Sequence, residues 1–208
     1  MKMNEKTHGF NIDNSYLKLN SKLYTTMAFR NIYDPELIIL NTKLVAELGL
    51  DKNYLTSKNG LSLLTGSVNE FLSSGFAQAY AGHQFGYFSI LGDGRALMIG
   101  EHVTTDNKRF DIQLKGSGRT PYSRGGDGKA TLYSMLREYI ISEAMNGLKI
   151  PTTRSLAVVK TNERIRRTSI EDGAVLTRIA QSHIRVGTFA FVSSTGNKSL
   201  LKELADYT

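Results

Sequence analysis

Three stretches of this sequence combine residue types and spacings suited to phosphate chemistry. Gly92, Asp93, Gly94 and Arg95 form a glycine turn, Lys115 closes the run FDIQLKG but for its last glycine, and the loop GSGRTPYSRGGDGK follows from Gly116 to Lys129. A residue without Cβ lets backbone N–H groups come close to a phosphate, and a lysine ammonium then meets that phosphate as a point charge. Each stretch also has a plainer explanation. Asp-Gly is the commonest hairpin signal, and a lysine on the polar face of a strand is commonly a solvated edge charge. Two familiar nucleotide motifs are excluded. GDGKAT resembles the end of a P-loop, but Ser123 stands where its first glycine is required and Ala130 where its metal-binding hydroxyl belongs. GDGRAL and GSGRTP begin like dinucleotide fingerprints, yet Leu97 and Pro121 occupy the place of the third glycine.

The elements that must position these residues follow from periodicity. In FDIQLKG, Phe110, Ile112 and Leu114 alternate with Asp111, Gln113 and Lys115, the period-2 mark of a half-buried strand whose lysine points off the apolar face. YFSIL and ALMIGEHV on either side of GDGR predict a β-hairpin. A helix is expected from about Lys129 to Asn146 with an apolar stripe of Leu132, Met135, Leu136, Tyr139 and Ile140. On its helical wheel Glu138 lies off that stripe and Glu143 within it, so periodicity alone does not select Glu138 as a partner for Lys115. SLAVVKT and AVLTRIA predict two further strands, and SHIRVGTFAFV and KSLLKELADYT two helices. Near the start, PELIILNTKLVAELGLD carries Leu37, Ile38, Leu40, Leu44, Val45 and Leu48 at helical intervals before Gly49, and predicts a helical flank. Glycine turn, strand with an off-core lysine, helix with acids, then two strands is the element order of a protein-kinase N-lobe.

Composition narrows the classes. The chain has 208 residues with 40% apolar content, enough to bury a real core. Lys plus Arg number 26 against 19 Asp plus Glu, so the surplus of positive charge favours an anionic partner. With no cysteine, disulfides and thiolate metal sites are excluded, and His8, His83, His102 and His183 show no metal-ligand spacing. The longest aliphatic run is LIIL at Leu37 to Leu40 and MKMNEKTHGF carries no export signal, so we expect a cytoplasmic protein with no membrane partner. Aromatic residues are not interleaved with basic ones as a stacking platform requires, which disfavours a nucleic-acid partner.

Longer strings are more specific. AQAYAGHQFG (Ala77 to Gly86), LGDGRA (Leu91 to Ala96), QLKGSGRTPYSRGGDGKA (Gln113 to Ala130), LREYIISEAMNGLKIPTTRSLAVV (Leu136 to Val159) and the opening FNIDNSYLKLNSKLYT resemble signature stretches of the selenoprotein-O family, also called the YdiU family. The resemblance covers essentially the whole chain. It implies an α+β fold of the protein-kinase-like (pseudokinase) type: a mainly antiparallel sheet with a helix beside it. Residues 1–75 would form a helical flank, 76–181 the nucleotide-binding N-lobe, and 182–208 the start of a helical C-lobe. The implied activity is transfer of AMP from ATP, bound in reversed orientation, to hydroxyl side chains of proteins. Carried over by motif, it implies ATP contacts from Gly92, Gly94, Arg95, Lys115, Asp127, Gly128, Arg178 and Arg185, with Glu138 bracing Lys115. Three or more cations converging with no acid beside them would mark an anion site.

One departure limits the carry-over. Family members run on well beyond this length and contain an HG-x-x-NTDN segment that supplies the proposed base and a ligand for Mg²⁺ or Mn²⁺. That segment is missing here, the only aspartate after Asp172 is Asp206, and the family's C-terminal redox cysteine or selenocysteine is missing too. The expectation is therefore an ATP-binding half with no catalytic residue of its own.

Overall fold

The computed structural model describes residues 9–68, 72–84 and 86–208. His8 and Phe85, which figured in the histidine count and the Ala77 to Gly86 string, lie outside them. In chain order the elements are β1 (Ile12–Asp13), β2 (Tyr24–Ala28), β3 (Glu36–Leu40), α1 (Thr42–Glu47), α2 (Lys52–Leu55), α3 (Lys58–Thr65), β4 (Ser74–Gln78), β5 (Ala81–Gln84), β6 (Tyr87–Ile90) and β7 (Ala96–Val103). There follow β8 (Arg109–Lys115), β9 (Ala130–Thr131), α4 (Leu132–Gly147), β10 (Arg154–Arg166), β11 (Ile170–Ala180), α5 (Val186–Ser194) and α6 (Lys198–Tyr207).

The fold is mixed α+β around one sheet in the order β2-β4-β7-β8-β11-β10-β3, with β1 added to β7 and β9 to β11. Every pairing among the described strands is antiparallel. Alternation sends Leu97 and Ile99 of β7, Ile112 and Leu114 of β8, and Val175 and Ile179 of β11 to one face, under Leu44, Val45, Leu55 and Leu64 of α1, α2 and α3. The other face holds two separate apolar clusters. Met135 of α4 packs on Val158, Ala174 and Leu176, while Val192 of α5 and Leu200 and Leu204 of α6 pack with Phe76 and Met98. Gln113, Lys115 and Arg178 emerge on that same face, and they are the polar residues about which the site is built.

Several expectations need correction. The segment from Pro35 to Asp51 is not one helix: Glu36–Leu40 is a strand paired with β10, and the helix begins only at Thr42, capped by the Asn41 side chain accepting from Leu44 N–H. A short continuous apolar run such as LIIL fits a helix or a buried strand equally, and its pairing with Val158 and Val159 is a long-range contact that periodicity does not register. The described part of residues 1–75 is thus partly sheet. The expected hairpin across GDGR is also absent. Tyr87–Ile90 pairs with β5 in a small second sheet, whereas Ala96–Val103 pairs with β1, β4 and β8, so the turn carries the chain from one sheet to the other.

Helix α4 starts at Leu132 rather than Lys129, because Ala130–Thr131 pairs with Gly173 and Ala174 and Thr131 caps the helix. Ile140 of its expected buried stripe is 61% exposed, and Glu138 and Glu143 instead reach groups of the sheet. Strand β8 is buried on both faces, since Asp111 and Gln113 are covered as well as Ile112 and Leu114. Ser182 to Arg185 are not helical, and α5 begins at Val186. Asp111 Oδ2 draws this connection inward by accepting from His183 N–H at 2.6 Å.

Candidate functional site

The glycine turn hangs from β4 and its extension. Tyr80 O accepts from Leu91 N–H and Gly92 N–H, and Gln78 O accepts from Asp93 N–H at 2.9 Å. Gly92 has φ +57°, and a Cβ there would lie 2.2 Å from Tyr122 Cγ, so only glycine lets the loop pack against the turn. The loop is stapled down by Thr120 Oγ1 donating to Asp93 O at 2.6 Å and Ser123 Oγ donating to Gly94 O at 2.5 Å.

The neck of that loop is closed by its own backbone and by an ion-pair bridge. Ser117 and Lys129 are paired, and Gly118 N–H donates to Gly128 O at 3.2 Å. Gly128 sits at φ +67°, where a Cβ would lie 2.0 Å from Gly118 O. Arg30 donates through Nε to Ser117 O at 2.5 Å and holds Glu163 with both terminal nitrogens at 2.8 Å, while Lys129 Nζ reaches the same carboxylate at 2.8 Å. The Arg30 guanidinium foremost holds the Glu163 carboxyl down at about 2.

Turn and loop enclose a cleft of about 560 Å³ lined by Gly92, Gly94, Arg95, Asp127 and Gly128, together with Tyr80, Tyr122, Arg124, Lys129 and Arg167. Asp127 is not a free carboxylate: both its oxygens receive Arg167 at 2.9 Å.

Lys115, Arg178 and Arg185 do not line that cleft but gather beside it. Lys115 Nζ lies 2.6 Å from Glu138 Oε2, and Arg178 Nε lies 3.2 Å from Glu138 Oε1, so one helix carboxylate holds two cations projected from adjacent strands. Arg178 also donates to Gln113 Oε1 at 2.7 Å. Burial pulls Lys115 below the usual lysine range, with Glu138 opposing the shift and the charges of Arg178 and Arg95 adding to it. Arg178 is likewise lowered by burial, yet an arginine starts so high that it stays charged. Arg185 lies over the Tyr80 ring at 4.1 Å and 3.8 Å from Asp93 Oδ1. Tyr80 thus joins the two groups, since it lines the cleft and carries Arg185. The expectation of cations without nearby acids is corrected. Each of the three has a carboxylate neighbour, and Lys115, Arg178, Arg185 and Arg95 together outnumber Glu138 and Asp93.

Sequence reasoning missed Tyr80, Tyr122 and the Arg30–Glu163–Lys129 bridge. Arg30 and Glu163 stand 133 residues apart, and no local pattern relates them. Asp93 belongs to an Asp-Gly turn signal in the sequence, and its side chain is buried beneath the turn. A second cavity of about 450 Å³ touches Glu101, Arg109 and Asp111. Its acids are engaged: Glu101 receives Ser15 Oγ, Tyr16 N–H and Arg109, and Asp111 receives His183 N–H. Among the described residues no helix is long and apolar enough to cross a membrane.

The comparisons with known proteins agree on one family. The profile of protein adenylyltransferase SelO matches residues 7–208. A protein nucleotidyltransferase YdiU of Clostridium perfringens is 58% identical over 200 residues, covering 96% of this chain and 41% of the relative. A protein of the same name from Clostridium botulinum strain Okra is 56% identical over 200 residues, with the same 96% and 41% coverage. The chain therefore spans about two fifths of the length of these relatives. With the profile match running almost from end to end, the chain belongs to the protein adenylyltransferase SelO family.

Proposed function

We propose that this chain is the ATP-binding part of a protein adenylyltransferase with a protein-kinase-like N-lobe in residues 76–181, flanked by residues 1–75 and by the start of a second lobe at 182–208. The observation that carries this reading is the shared Glu138 carboxylate, which fixes Lys115 and Arg178 on the strands next to the glycine turn. A strand lysine held by a helix glutamate beside a glycine turn is the arrangement that aims a cation at nucleotide phosphates. The tight packing at Gly92 and Gly128 seats the glycine-rich loop against the turn and closes its neck, and so shapes the wall of the cleft. Fixed cations in a partly dry pocket stabilise phosphate charge without having to reorganise. In this reading Gly92, Gly94, Arg95, Asp127 and Gly128 contact the nucleotide from the cleft, and Lys115, Arg178 and Arg185 its phosphates from the side. The AMP acceptors would be hydroxyl side chains of proteins, as the family resemblance implies.

A catalytic Mg²⁺ or Mn²⁺ does not fit the residues present. Among the described residues no group of three or more His, Asp or Glu is placed to hold a metal ion. Glu138 and Asp93 beside the cations are already engaged. The resemblance assigns the metal ligands and the base to a segment this sequence does not contain. In this reading the residues present hold ATP, and the metal ligands and base would be those the resemblance places in that segment.

The test is a titration of the protein with ATP, with and without Mg²⁺. Saturable binding is expected, weakened about tenfold or more by Lys115→Ala or Arg178→Ala, since a charge-assisted contact to phosphate is lost. No binding by the wild type, or binding indifferent to both substitutions, would sink the reading.

A further inference from the structure

Asp93 is the one residue of the glycine turn that faces away from the cleft. It lies between two glycines, is only 2% exposed, and its polar groups tie the turn to three parts of the molecule. Its N–H donates to Gln78 O and its carboxylate Oδ2 accepts from Gln78 N–H at 3.0 Å, locking the turn to β4. Its carbonyl accepts from Thr120 Oγ1 in the glycine-rich loop. Its second carboxylate oxygen, Oδ1, lies 3.8 Å from Arg185 at the start of α5.

A neutral acceptor would serve the bond to Gln78 N–H equally well, so the turn itself does not require a charge there. Burying a carboxylate is costly unless a cation answers it. Burial raises Asp93 to about 6, opposed chiefly by Gln78 N–H and then by the charges of Arg185 and Arg178. Arg185, in turn, is 39% exposed along its side chain and is restrained by the Tyr80 ring, His183 O at 3.4 Å and Asp93. Of these, Asp93 supplies the only full charge.

Resting on the nucleotide-binding function proposed above, we propose that Asp93 is a positioning residue: its carboxylate, under the turn, orients Arg185 toward the nucleotide phosphates that the turn receives on its other side. The turn and a distant arginine are thereby set by one side chain, so the phosphate meets both in a fixed relation. Preorganisation of this kind strengthens binding by removing the cost of ordering a mobile arginine.

The sign of one measurement separates this role from simple charge balance. Asp93→Asn keeps the shape and the bond to Gln78 N–H but removes a negative charge from a phosphate site. If Asp93 merely offset the cations, ATP would bind tighter. If it positions Arg185, ATP binds weaker, by about tenfold, and the loss disappears in an Arg185→Ala background because there is nothing left to orient. The wild type supplies an independent arm that needs no variant. Its ATP affinity should fall as pH drops from 7 through about 6, more steeply than the phosphate's own titration explains. The groups near Asp93 are the guanidiniums of Arg178 from β11 and of Arg185, the Tyr16 and Tyr80 hydroxyls, which burial raises, and His183, which burial lowers below the ordinary histidine range. In Asp93→Asn the extra steepness should be gone.

Affinity equal to or tighter than wild type in Asp93→Asn, a loss that persists undiminished in Arg185→Ala, or identical pH profiles would each overturn the proposal. A wild type that binds no ATP would fail before any variant is compared, and would overturn the function proposed above and this role with it.

Discussion

The Lys115 ammonium and Arg178 guanidinium sit on opposite oxygens of the Glu138 carboxylate, at 2.6 and 3.2 Å. Removing that carboxylate leaves two largely buried cations facing each other. Glu138→Ala should cost about 1–3 kcal/mol of stability, the range for leaving a charged group without its partner. It should also weaken ATP binding, because Lys115 and Arg178 repel one another out of position. Urea denaturation and ATP titration of the same preparation check both parts.

Glu163 ties Arg30 to Lys129 at the neck of the glycine-rich loop. Its carboxyl titrates at about 2 in the folded protein against an ordinary 4.5, so the folded state favours the ionised form. The resulting stabilisation is fully present above about pH 4.5 and is lost as pH falls toward 2. Glu163→Gln should therefore be less stable than wild type at pH 7, by about 1–3 kcal/mol, with the gap narrowing steadily below pH 4.5. Denaturant midpoints measured from pH 7 to 3 give the comparison, and a gap that widens on acidification would contradict it.

Gly92 is constrained twice, by φ +57° and by the Tyr122 ring that a Cβ would strike. Gly92→Ala should destabilise by about 1–3 kcal/mol and loosen the loop from the turn. The steric part should be relieved in Gly92→Ala combined with Tyr122→Ala, so the two changes together should cost less than their sum. A double-mutant cycle of thermal melts measures this.

On the function proposed above, incubating the chain with labelled ATP, Mg²⁺ or Mn²⁺ and a mixed protein substrate should give no labelled protein above a Lys115→Ala control. Labelling that the control abolishes would place the catalytic groups within these residues.

Much of the frame was legible in the residues themselves. Alternation in FDIQLKG marked β8, the short apolar runs of SLAVVKT and AVLTRIA marked β10 and β11, and the expected end near Asn146 marked the end of α4, because these features depend on neighbours a few residues away. The long motif strings likewise identified the family. What the tertiary structure alone decided were relations across the chain. LIIL became a strand because β10 offered it a partner, more than a hundred residues later. Of two acids on α4, Glu143 clamps Arg154 and Asn41 while Glu138 meets Lys115, a division set by which strand each turn of the helix crosses. Asp93 points inward because Gln78 and Arg185 converge beneath it. Such choices rest on packing and electrostatics between distant residues, to which a reading of local period is blind.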